Sequence, residues 1–259
     1  MTPSELADAQ DRGRRVLFDS WRAAIPHHPL GILDERHGVL VAATGLPWPQ
    51  NNPAFALEDS VDARAAVAWG IERRGGLGSG YDLPSGRNPR VERALSTIGH
   101  EVIAARPMML AETAAMEAVL VRAPRELEVR RVTDCSQITD VARVQARAFD
   151  STVEMEAAQL PASQLDHSDF FLALGTVDGV AVSAAQAVRT PDGIAIFGVA
   201  TDPDYRGLGY ASTTTAFAIR TIDPKAAVAV LQSTAAGYPV YRSMGFIDIG
   251  PWEVWSPAS

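Results

Sequence analysis

Residues 194–211 constrain the fold of this chain more than any other stretch. They begin with an apolar, largely β-branched run at 194–199, which is typical of a strand buried on both faces. The run breaks at an Asp-Pro-Asp sequence, and the turn Arg206-Gly207-Leu208-Gly209 then lets the backbone take positive φ or pass close to a ligand. From Tyr210 onward the pattern favours a helix.

This succession of strand, glycine-rich turn and helix predicts an anion-binding site. The first turn of a helix has backbone N–H groups without intrahelical partners, and the helix dipole adds positive potential there. A phosphate or pyrophosphate suits such a position. A nucleotide-binding enzyme is disfavoured, because the turn lacks both the Lys-Ser/Thr ending of a phosphate-binding loop and the third glycine of a dinucleotide fingerprint.

Composition and charge narrow the classes of partner. With 47% hydrophobic and 21% charged residues, the chain has the composition of a globular protein. Its formal net charge of -8 argues against a nucleic-acid partner and leaves room for a cationic small molecule. Residues 1–11 lack the apolar core of a signal peptide, and no apolar run is long enough to span a bilayer. We therefore expect a cytoplasmic protein with no membrane partner.

Residues that could bind a metal or form a disulfide are few. Cys135 is the one cysteine, so neither an intramolecular disulfide nor a zinc-binding thiolate cluster is expected. We interpret Cys135 as a small buried hydrophobe. His27-His28 and His37 lack the spacing to carboxylates that a metal site needs, and we interpret them as loop residues. No metal is expected.

Periodicity in the first half predicts alternating helices and strands. Helices are expected over residues 2–24, 61–73 and 89–98, and strands over residues 38–44, near Phe55, and from 101 to 110. The glycine-rich stretch 75–80 is interpreted as a loop, because no helix starts after it. Residues 112–124 are interpreted as a connection that separates two domains.

The second half shows the same alternation. Strands are expected over residues 127–132, 170–177, 180–188, 194–199 and 226–232, with a last strand around 252–255. Helices are expected over residues 138–149, 154–160, 210–222 and 235–244, the first of them capped by Asp134 or Ser136. Asp178-Gly179 is a strong hairpin signal between two of the strands.

Two motifs and the order of elements in this half resemble those of a known family. Arg206-Gly207-Leu208-Gly209-Tyr210-Ala211 has the form Q/R-x-x-G-x-G/A and directly follows the strand that ends Val199-Ala200-Thr201. The last helix ends Tyr241-Arg242-Ser243-Met244-Gly245-Phe246, a Y-x-x-x-G-F sequence. Residues 127–255 therefore resemble the GNAT superfamily of acyl-CoA-dependent N-acyltransferases.

The first half looks like a degenerate copy of the same fold. Its order of elements is similar, and LSTIGH at 95–100 lies where a Leu-x-x-x-Gly-Phe ending would be, but the R-x-x-G-x-A loop is missing. The resemblance implies an α/β (α+β) tandem GNAT-like fold, each half a mixed, mostly antiparallel twisted sheet flanked by helices. We expect a degenerate domain at 1–124 and the acetyltransferase domain at 125–259. An unrelated N-terminal cap is the alternative.

The resemblance also implies a binding site for acetyl-CoA as co-substrate. The pyrophosphate would lie against Arg206, Gly207, Leu208, Gly209, Tyr210 and Ala211. The pantetheine arm would pair with the strand backbone at Val199, Ala200 and Thr201, and an N–H near Val199 or Ala200 would polarise the thioester carbonyl. Ser233 is a further candidate contact with the coenzyme.

For catalysis the resemblance implies that Tyr241 protonates the departing thiolate. An ordinary core aromatic is the alternative, and Tyr238 is a weaker candidate for the same role. The general base is open, because the strand at 194–201 has no carboxylate, which many members of the family carry there. A water chain could remove the proton, or one of four side chains elsewhere, although a solvated surface group is the preferred interpretation of each: Glu154, Glu156, His167 and Asp169.

These residues lead to the hypothesis of an acetyl-CoA-dependent N-acetyltransferase. It would transfer the acetyl group to the primary amine of a small-molecule acceptor by direct attack in a ternary complex. A catalytically silent acyl-CoA-binding or sensing module and a protein N-acetyltransferase are the alternatives. The first half could contribute to the acceptor pocket through Trp48, Trp69 or Tyr81, although large aromatics are more often core residues.

Overall fold

The computed structural model describes residues 1–60, 62–77 and 80–258. The predicted helix start at Val61, and Gly78 and Ser79 of the predicted loop, lie outside the described residues. Contacts divide the chain into two compact units. The first unit is Met1–Ser20 with Met109–Asp248, and the second unit is Trp21–Met108 with Ile249–Ser259.

The described part of the chain holds helices and strands in alternation. The helices are α1 (Pro3–Ala24), α2 (Ala63–Arg74), α3 (Pro89–Thr97), α4 (Met116–Val121), α5 (Cys135–Phe149), α6 (Val153–Ala158), α7 (Tyr210–Ile222) and α8 (Tyr238–Ser243). The strands are β1 (Ile32–Arg36), β2 (Val39–Ala43), β3 (Ala54–Ala56), β4 (Tyr81–Pro84), β5 (His100–Glu112), β6 (Glu128–Arg131), β7 (Phe170–Val177), β8 (Val180–Thr190), β9 (Gly193–Thr201), β10 (Val228–Gln232) and β11 (Ile247–Pro257). No described helix has the length and hydrophobicity needed to cross a membrane.

The sheet of the first unit has the strand order β5-β10-β9-β8-β7-β6. Strands β6, β7, β8 and β9 pair antiparallel in succession, whereas β9 and β10 pair parallel. Helices cover both faces. Leu172 and Leu174 pack against α5 on one face, and Phe171 and Ala173 belong to the cluster around α7 on the other. Because both faces are covered, these strands read as continuous apolar runs in the sequence.

The sheet of the second unit has the order β1-β2-β3-β4-β11-β5, with a parallel pair at β3 and β4. Strand β11 pairs antiparallel with β4, so that Trp252 lies opposite Pro84 and Trp255 opposite Tyr81. The sequence predicts this last strand but places it with the residues of the second half. Its neighbour in the sheet is β4, a strand of the first half, which pattern and spacing do not reveal.

The compact units divide the chain differently from the boundary predicted at residues 124 and 125, since each unit takes residues from both sides of that boundary. That the two copies of the fold occupy residues 1–124 and 125–259 stays a prediction. The predicted connection at 112–124 is partly wrong, because it contains α4. Met116 of this helix is fully buried, and Glu117 pairs with Arg220 on α7 at 2.8 Å.

One hairpin turn and one helix cap that were predicted from the local sequence are confirmed. Asp178 and Gly179 both have positive φ, 48° and 80°, as the predicted two-residue hairpin turn requires. The Asp134 side chain caps α5 by accepting a hydrogen bond from the Ser136 N–H at 2.7 Å. Cys135 was expected to be buried and is exposed. As the first residue of α5 it precedes the positions that face the sheet, so the apolar preference of cysteine does not apply there.

Candidate functional site

Among the described residues, strands β9 and β10 are paired only near the N-terminal end of each strand. The register joins Ala229 to Ile194 and Val230 to Ala195. Strand β9 continues to Thr201, and its last residues, Val199, Ala200 and Thr201, have no register partner in β10. That edge of β9 therefore presents backbone groups to which an extended ligand can bind as an additional strand.

A β-bulge interrupts β9 just before this open edge. The register with β8 changes from Gln186 opposite Phe197 to Ala184 opposite Ala200, so β9 has one residue more than β8 in this interval. Gly198 lies in the bulge with a φ of 56°. Its carbonyl accepts a hydrogen bond of 2.9 Å from Nε2 of Gln145 on α5.

The turn after β9 leads directly into α7. Asp202 begins it, and its side chain accepts a hydrogen bond from the Asp204 N–H at 3.0 Å. Gly207 and Gly209 both have a φ of 82°, and Gly209 is the residue that precedes α7. A Cβ at Gly207 would meet nothing within 4 Å. The backbone at this turn is therefore open to close approach, and the first N–H groups of α7 point toward it.

Helix α5 fixes the turn through ion pairs. Arg147 contacts Asp202 Oδ2 through Nη1 at 2.7 Å and Asp204 Oδ2 through Nη2 at 2.8 Å. The hydrogen bond to Asp204, together with the charge of Asp202, raises the pKa of Arg147 above its ordinary value. Arg206 Nη2 donates to the carbonyl of Ala148 at 3.1 Å, so the first residue of the R-x-x-G-x-A sequence is also held against α5.

Two other predicted contact residues are engaged within the protein. The hydroxyl of Tyr210 donates to Glu126 Oε1 at 3.0 Å, and burial together with Glu126 raises its pKa. Ser233 is buried just after β10 and donates from Oγ to the Thr234 carbonyl at 2.8 Å. In contrast, Oγ1 of Thr201 is buried with no hydrogen-bond partner among the described residues.

Tyr241 lies on α8 in the apolar cluster of the first unit. Its ring packs edge-on against Phe246 with centroids 5.7 Å apart, and Val199 and Tyr238 border the same cluster. Burial raises the pKa of Tyr241 to about 12. No hydrogen bond of its hydroxyl is found among the described residues. Tyr241 thus lies in the cluster against which Val199 of β9 packs, and its burial is what a core aromatic requires; its role in proton donation stays a prediction.

The four candidate bases differ in the hydrogen bonds that they form with other groups of the protein. Asp169 Oδ1 accepts hydrogen bonds from Arg189 Nε at 2.9 Å and Nη2 at 2.6 Å. His167 Nδ1 accepts from the Asp169 N–H at 3.2 Å.

The other two candidates lie on α6. Glu156 is buried and accepts hydrogen bonds from Ser151 and Gln159. Glu154 is exposed. Asp169 and Glu156 are therefore hydrogen-bonded to other side chains, and the identity of the base stays open among the four residues and water.

The aromatic residues suggested for an acceptor pocket lie in the second unit. Tyr81 is fully buried in its core and donates to the Val67 carbonyl at 2.8 Å. Trp69 packs against the same core, and Trp48 is half-buried in a loop. Tyr81 is therefore a core residue. Within the described residues, no group of three or more His, Cys, Asp or Glu side chains could hold a metal ion.

Two residues that shape this site, Gln145 and Arg147, were not found from the sequence. Both lie on α5, about fifty residues before the bulge and turn that they contact. A glutamine and an arginine near the end of an amphipathic helix give no local signal of such contacts.

Residues 135–246 match the acetyltransferase (GNAT) family. The chain contains a GNAT domain. The matched segment runs from the first residue of α5 to Phe246 and includes the bulge, the open edge of β9, the turn and Tyr241. It supports acyl-CoA-dependent N-acyltransferase activity in general, with acetyl-CoA as the co-substrate typical of the family.

Solved structures resemble nearly the whole chain. A GCN5-related N-acetyltransferase from Kribbella flavida superimposes with a TM-score of 0.72 at 16% identity, covering 94% of this chain and 95% of that one. A tandem GNAT protein from the clavulanic acid biosynthesis pathway has a TM-score of 0.61 at 14% identity, covering 89% and 85%. No curated protein matches the chain. At these identities the likeness shows the fold, and the predicted tandem GNAT-like α/β architecture is confirmed.

Proposed function

We propose that the chain is an acetyl-CoA-dependent N-acetyltransferase that transfers the acetyl group directly to the primary amine of a small molecule. The observation that carries this proposal is the edge of β9 at Val199–Thr201 that has no register partner in β10, followed through residues 202–206 by the turn at Gly207 and Gly209 and the N-terminus of α7. A strand edge suits the amide-rich pantetheine arm, and the turn suits its pyrophosphate.

The residues of this site fit acetyl-CoA on structural grounds. Gly207 and Gly209 both have positive φ and carry no side chain, so the backbone of the turn is open at these positions. The first N–H groups of α7 are oriented to donate to phosphate oxygens. Arg206, Leu208, Tyr210 and Ala211 complete this binding segment. The buried and unpartnered Oγ1 of Thr201 supplies a further polar group at the strand edge. Ser233 is the contact proposed from the end of β10.

The reaction requires a carbonyl to be polarised and two protons to be moved. Acetyl-CoA supplies an acyl group activated as a thioester; the C–S bond breaks as the C–N bond to the amine forms. A backbone N–H at Val199 or Ala200 stabilises the negative charge that develops on the carbonyl oxygen. The amine loses its proton to water or to one of the four candidate side chains, of which Glu154 is exposed and Glu156 and Asp169 accept hydrogen bonds from other side chains.

Tyr241 is the proposed proton donor to the departing sulfur. The phenol is protonated at neutral pH and can donate a hydrogen bond and then a proton to the departing sulfur, although burial, which raises its pKa to about 12, makes it a weaker acid than a free tyrosine. Tyr241 belongs to the apolar cluster against which Val199 packs, and this supports the role. No covalent enzyme intermediate is needed, since amine and thioester meet in one complex.

A small amine is favoured over a protein tail as acceptor. The formal net charge of -8 attracts a cation, although such attraction affects encounter more than specificity. A cytoplasmic location stays a prediction from the sequence.

Thiol release tests the proposal. The purified chain is incubated with acetyl-CoA and a panel of small amines and lysine peptides while free thiol is followed optically, and binding of CoA is measured by calorimetry. Amine-dependent thiol release is expected with at least one small amine. Release with peptides alone would support a protein N-acetyltransferase. Failure to bind acetyl-CoA would overturn the whole proposal.

A silent acyl-CoA-binding module is the second candidate. The absence of a carboxylate on β9 and the pairing of Asp169 with Arg189 favour it. Tight binding of acetyl-CoA without thiol release across the panel would support it over the enzyme.

A further inference from the structure

Gln145 is a buried polar side chain whose position the proposed reaction has not yet explained. It is 3% exposed, on the face of α5 that also carries Val141, Ala142 and Val144. A buried amide is costly unless it is hydrogen-bonded, and the bond that Gln145 donates is the one to the carbonyl of Gly198. The amide therefore acts on the bulge of β9.

Gly198 and Gln145 fit each other closely. A Cβ at residue 198 would lie 2.5 Å from Nε2 of Gln145, so the amide would have to move from its present position. The φ of 56° at Gly198 also disfavours any residue with a Cβ. The backbone conformation thus favours glycine at this point of β9, and a larger residue would also displace the Gln145 amide.

The hydrogen bond fixes one peptide plane. The carbonyl of Gly198 and the N–H of Val199 belong to the same trans peptide, so they point in opposite directions. With the carbonyl held toward α5, the Val199 N–H must point away from α5. The opposite face of the sheet is covered by the cluster that contains Tyr241 and is bordered by Val199.

We infer that Gln145 is a positioning residue for the thioester: by binding the Gly198 carbonyl it turns the Val199 N–H toward the carbonyl oxygen of the bound acyl group. This inference rests on the proposed function and selects Val199 over Ala200 as the donor. Gln145 itself touches neither substrate. A bulge leaves its extra peptide outside the β8 ladder, so α5 supplies the anchor that the sheet does not.

The test compares acetyl-CoA with CoA, because CoA lacks the thioester carbonyl. Gln145→Met keeps the size of the side chain and removes the donor, and Gln159→Met removes a half-buried glutamine donor directly after α6 as the matched control. Calorimetry gives both dissociation constants. Isotope-edited infrared spectroscopy of acetyl-CoA labelled with ¹³C at the thioester carbonyl reports how strongly that carbonyl is polarised.

For Gln145→Met we expect the dissociation constant of acetyl-CoA to rise about threefold to tenfold, as for loss of one hydrogen bond, while that of CoA stays within about twofold. The carbonyl stretch, shifted to lower frequency in the wild type, should return toward its value in water. The control should change neither quantity.

Equal weakening of both ligands, or an unchanged stretch in Gln145→Met, would show a purely structural role and overturn the inference. If that variant does not fold, Gln145→Asn, one methylene shorter, takes its place. A wild-type stretch identical to that in water would overturn the inference without any variant. Failure of the wild type to bind CoA at all would instead overturn the proposed function.

Discussion

Arg147 on α5 donates to Asp202, the first residue after β9, at 2.7 Å, and the same guanidinium reaches Asp204 at 2.8 Å. Asp202 is nearly buried, whereas Arg147 is half-exposed. One side chain thus joins α5 to both ends of the short Asp-Pro-Asp segment. Since Gln145 holds the bulge and Arg147 holds the turn, the last two turns of α5 set the geometry of the strand and of the loop that follows it.

We expect Arg147→Ala to weaken binding of CoA about threefold to tenfold, because the turn loses its anchor and the nearly buried Asp202 loses its counter-charge. Calorimetric titration with CoA measures the effect. Arg143→Ala is the matched control, since Arg143 pairs at 2.6 Å with Asp140 on the exposed side of the same helix. Equal affinities of the two variants would show that the turn keeps its form without Arg147.

Replacement of glycine in the turn separates backbone strain from ligand contact. Gly207→Ala and Gly99→Ala place a Cβ at the same φ of 82°, and in both cases the Cβ meets nothing within 4 Å. Each should lower the free energy of unfolding by about 1 kcal/mol. Only Gly207→Ala should also weaken CoA binding, because its Cβ stands where the backbone approaches the pyrophosphate. Urea unfolding and calorimetry give the two quantities. Similar CoA affinities would place the pyrophosphate elsewhere.

Tyr241→Phe should lower turnover of an identified amine about 100-fold, the ordinary scale for loss of a general acid. The dissociation constant of acetyl-CoA should stay within about twofold, since the ring and its packing on Phe246 are retained. Steady-state thiol release and calorimetry measure the two effects. Tyr238→Phe, which removes a hydroxyl 3.5 Å from Asp248, should leave turnover nearly unchanged. Unaltered turnover in Tyr241→Phe would remove Tyr241 from the mechanism.

His28 should make the stability of the protein sensitive to acid. Burial, with a smaller effect of His27, lowers the pKa of His28 from 6.5 to about 4. A histidine with a lowered pKa stabilises the folded chain above pH 6.5, and this contribution is lost as the pH falls toward 4. Between pH 7 and 5 the wild type should therefore lose about 1 to 2 kcal/mol that His28→Asn does not lose.

Urea unfolding at the two pH values measures this difference. The control is His37→Asn, an exposed position with positive φ that asparagine tolerates. It should keep the wild-type dependence. An equal loss in His28→Asn would show that other groups cause the acid sensitivity.

The parts of the fold that the sequence predicted correctly are those with local causes. Helix α7 begins and ends at the predicted residues, 210 and 222, because a glycine precedes it and Asp223-Pro224 follows it. The hairpin at Asp178-Gly179 likewise depends on the φ values of two residues. Strand β1 was missed, since Asp34, Glu35 and Arg36 make an edge strand look like a polar loop.

The contacts that shape the candidate site depend instead on tertiary structure. Gln145 meets Gly198 and Arg147 meets Asp202 across more than fifty residues of chain, and neither pair follows a period of helix or strand. The roles proposed for Tyr241 and for the residues of the turn stay predictions. For Asp169 the structure gives a partner, Arg189, that spacing alone could not reveal.

The pairing of β11 with β4 has a consequence for biosynthesis. Residues 21–108 leave the ribosome early, yet the strand that lies beside β4 emerges only after all of residues 109–248. Until then β4 has an unfilled edge, and the apolar surface that Trp252 and Trp255 later cover is open to wrong partners. The sheet of the second unit is therefore completed only after residues 109–248 have been synthesised, because β11 has to follow them before it can pair with β4.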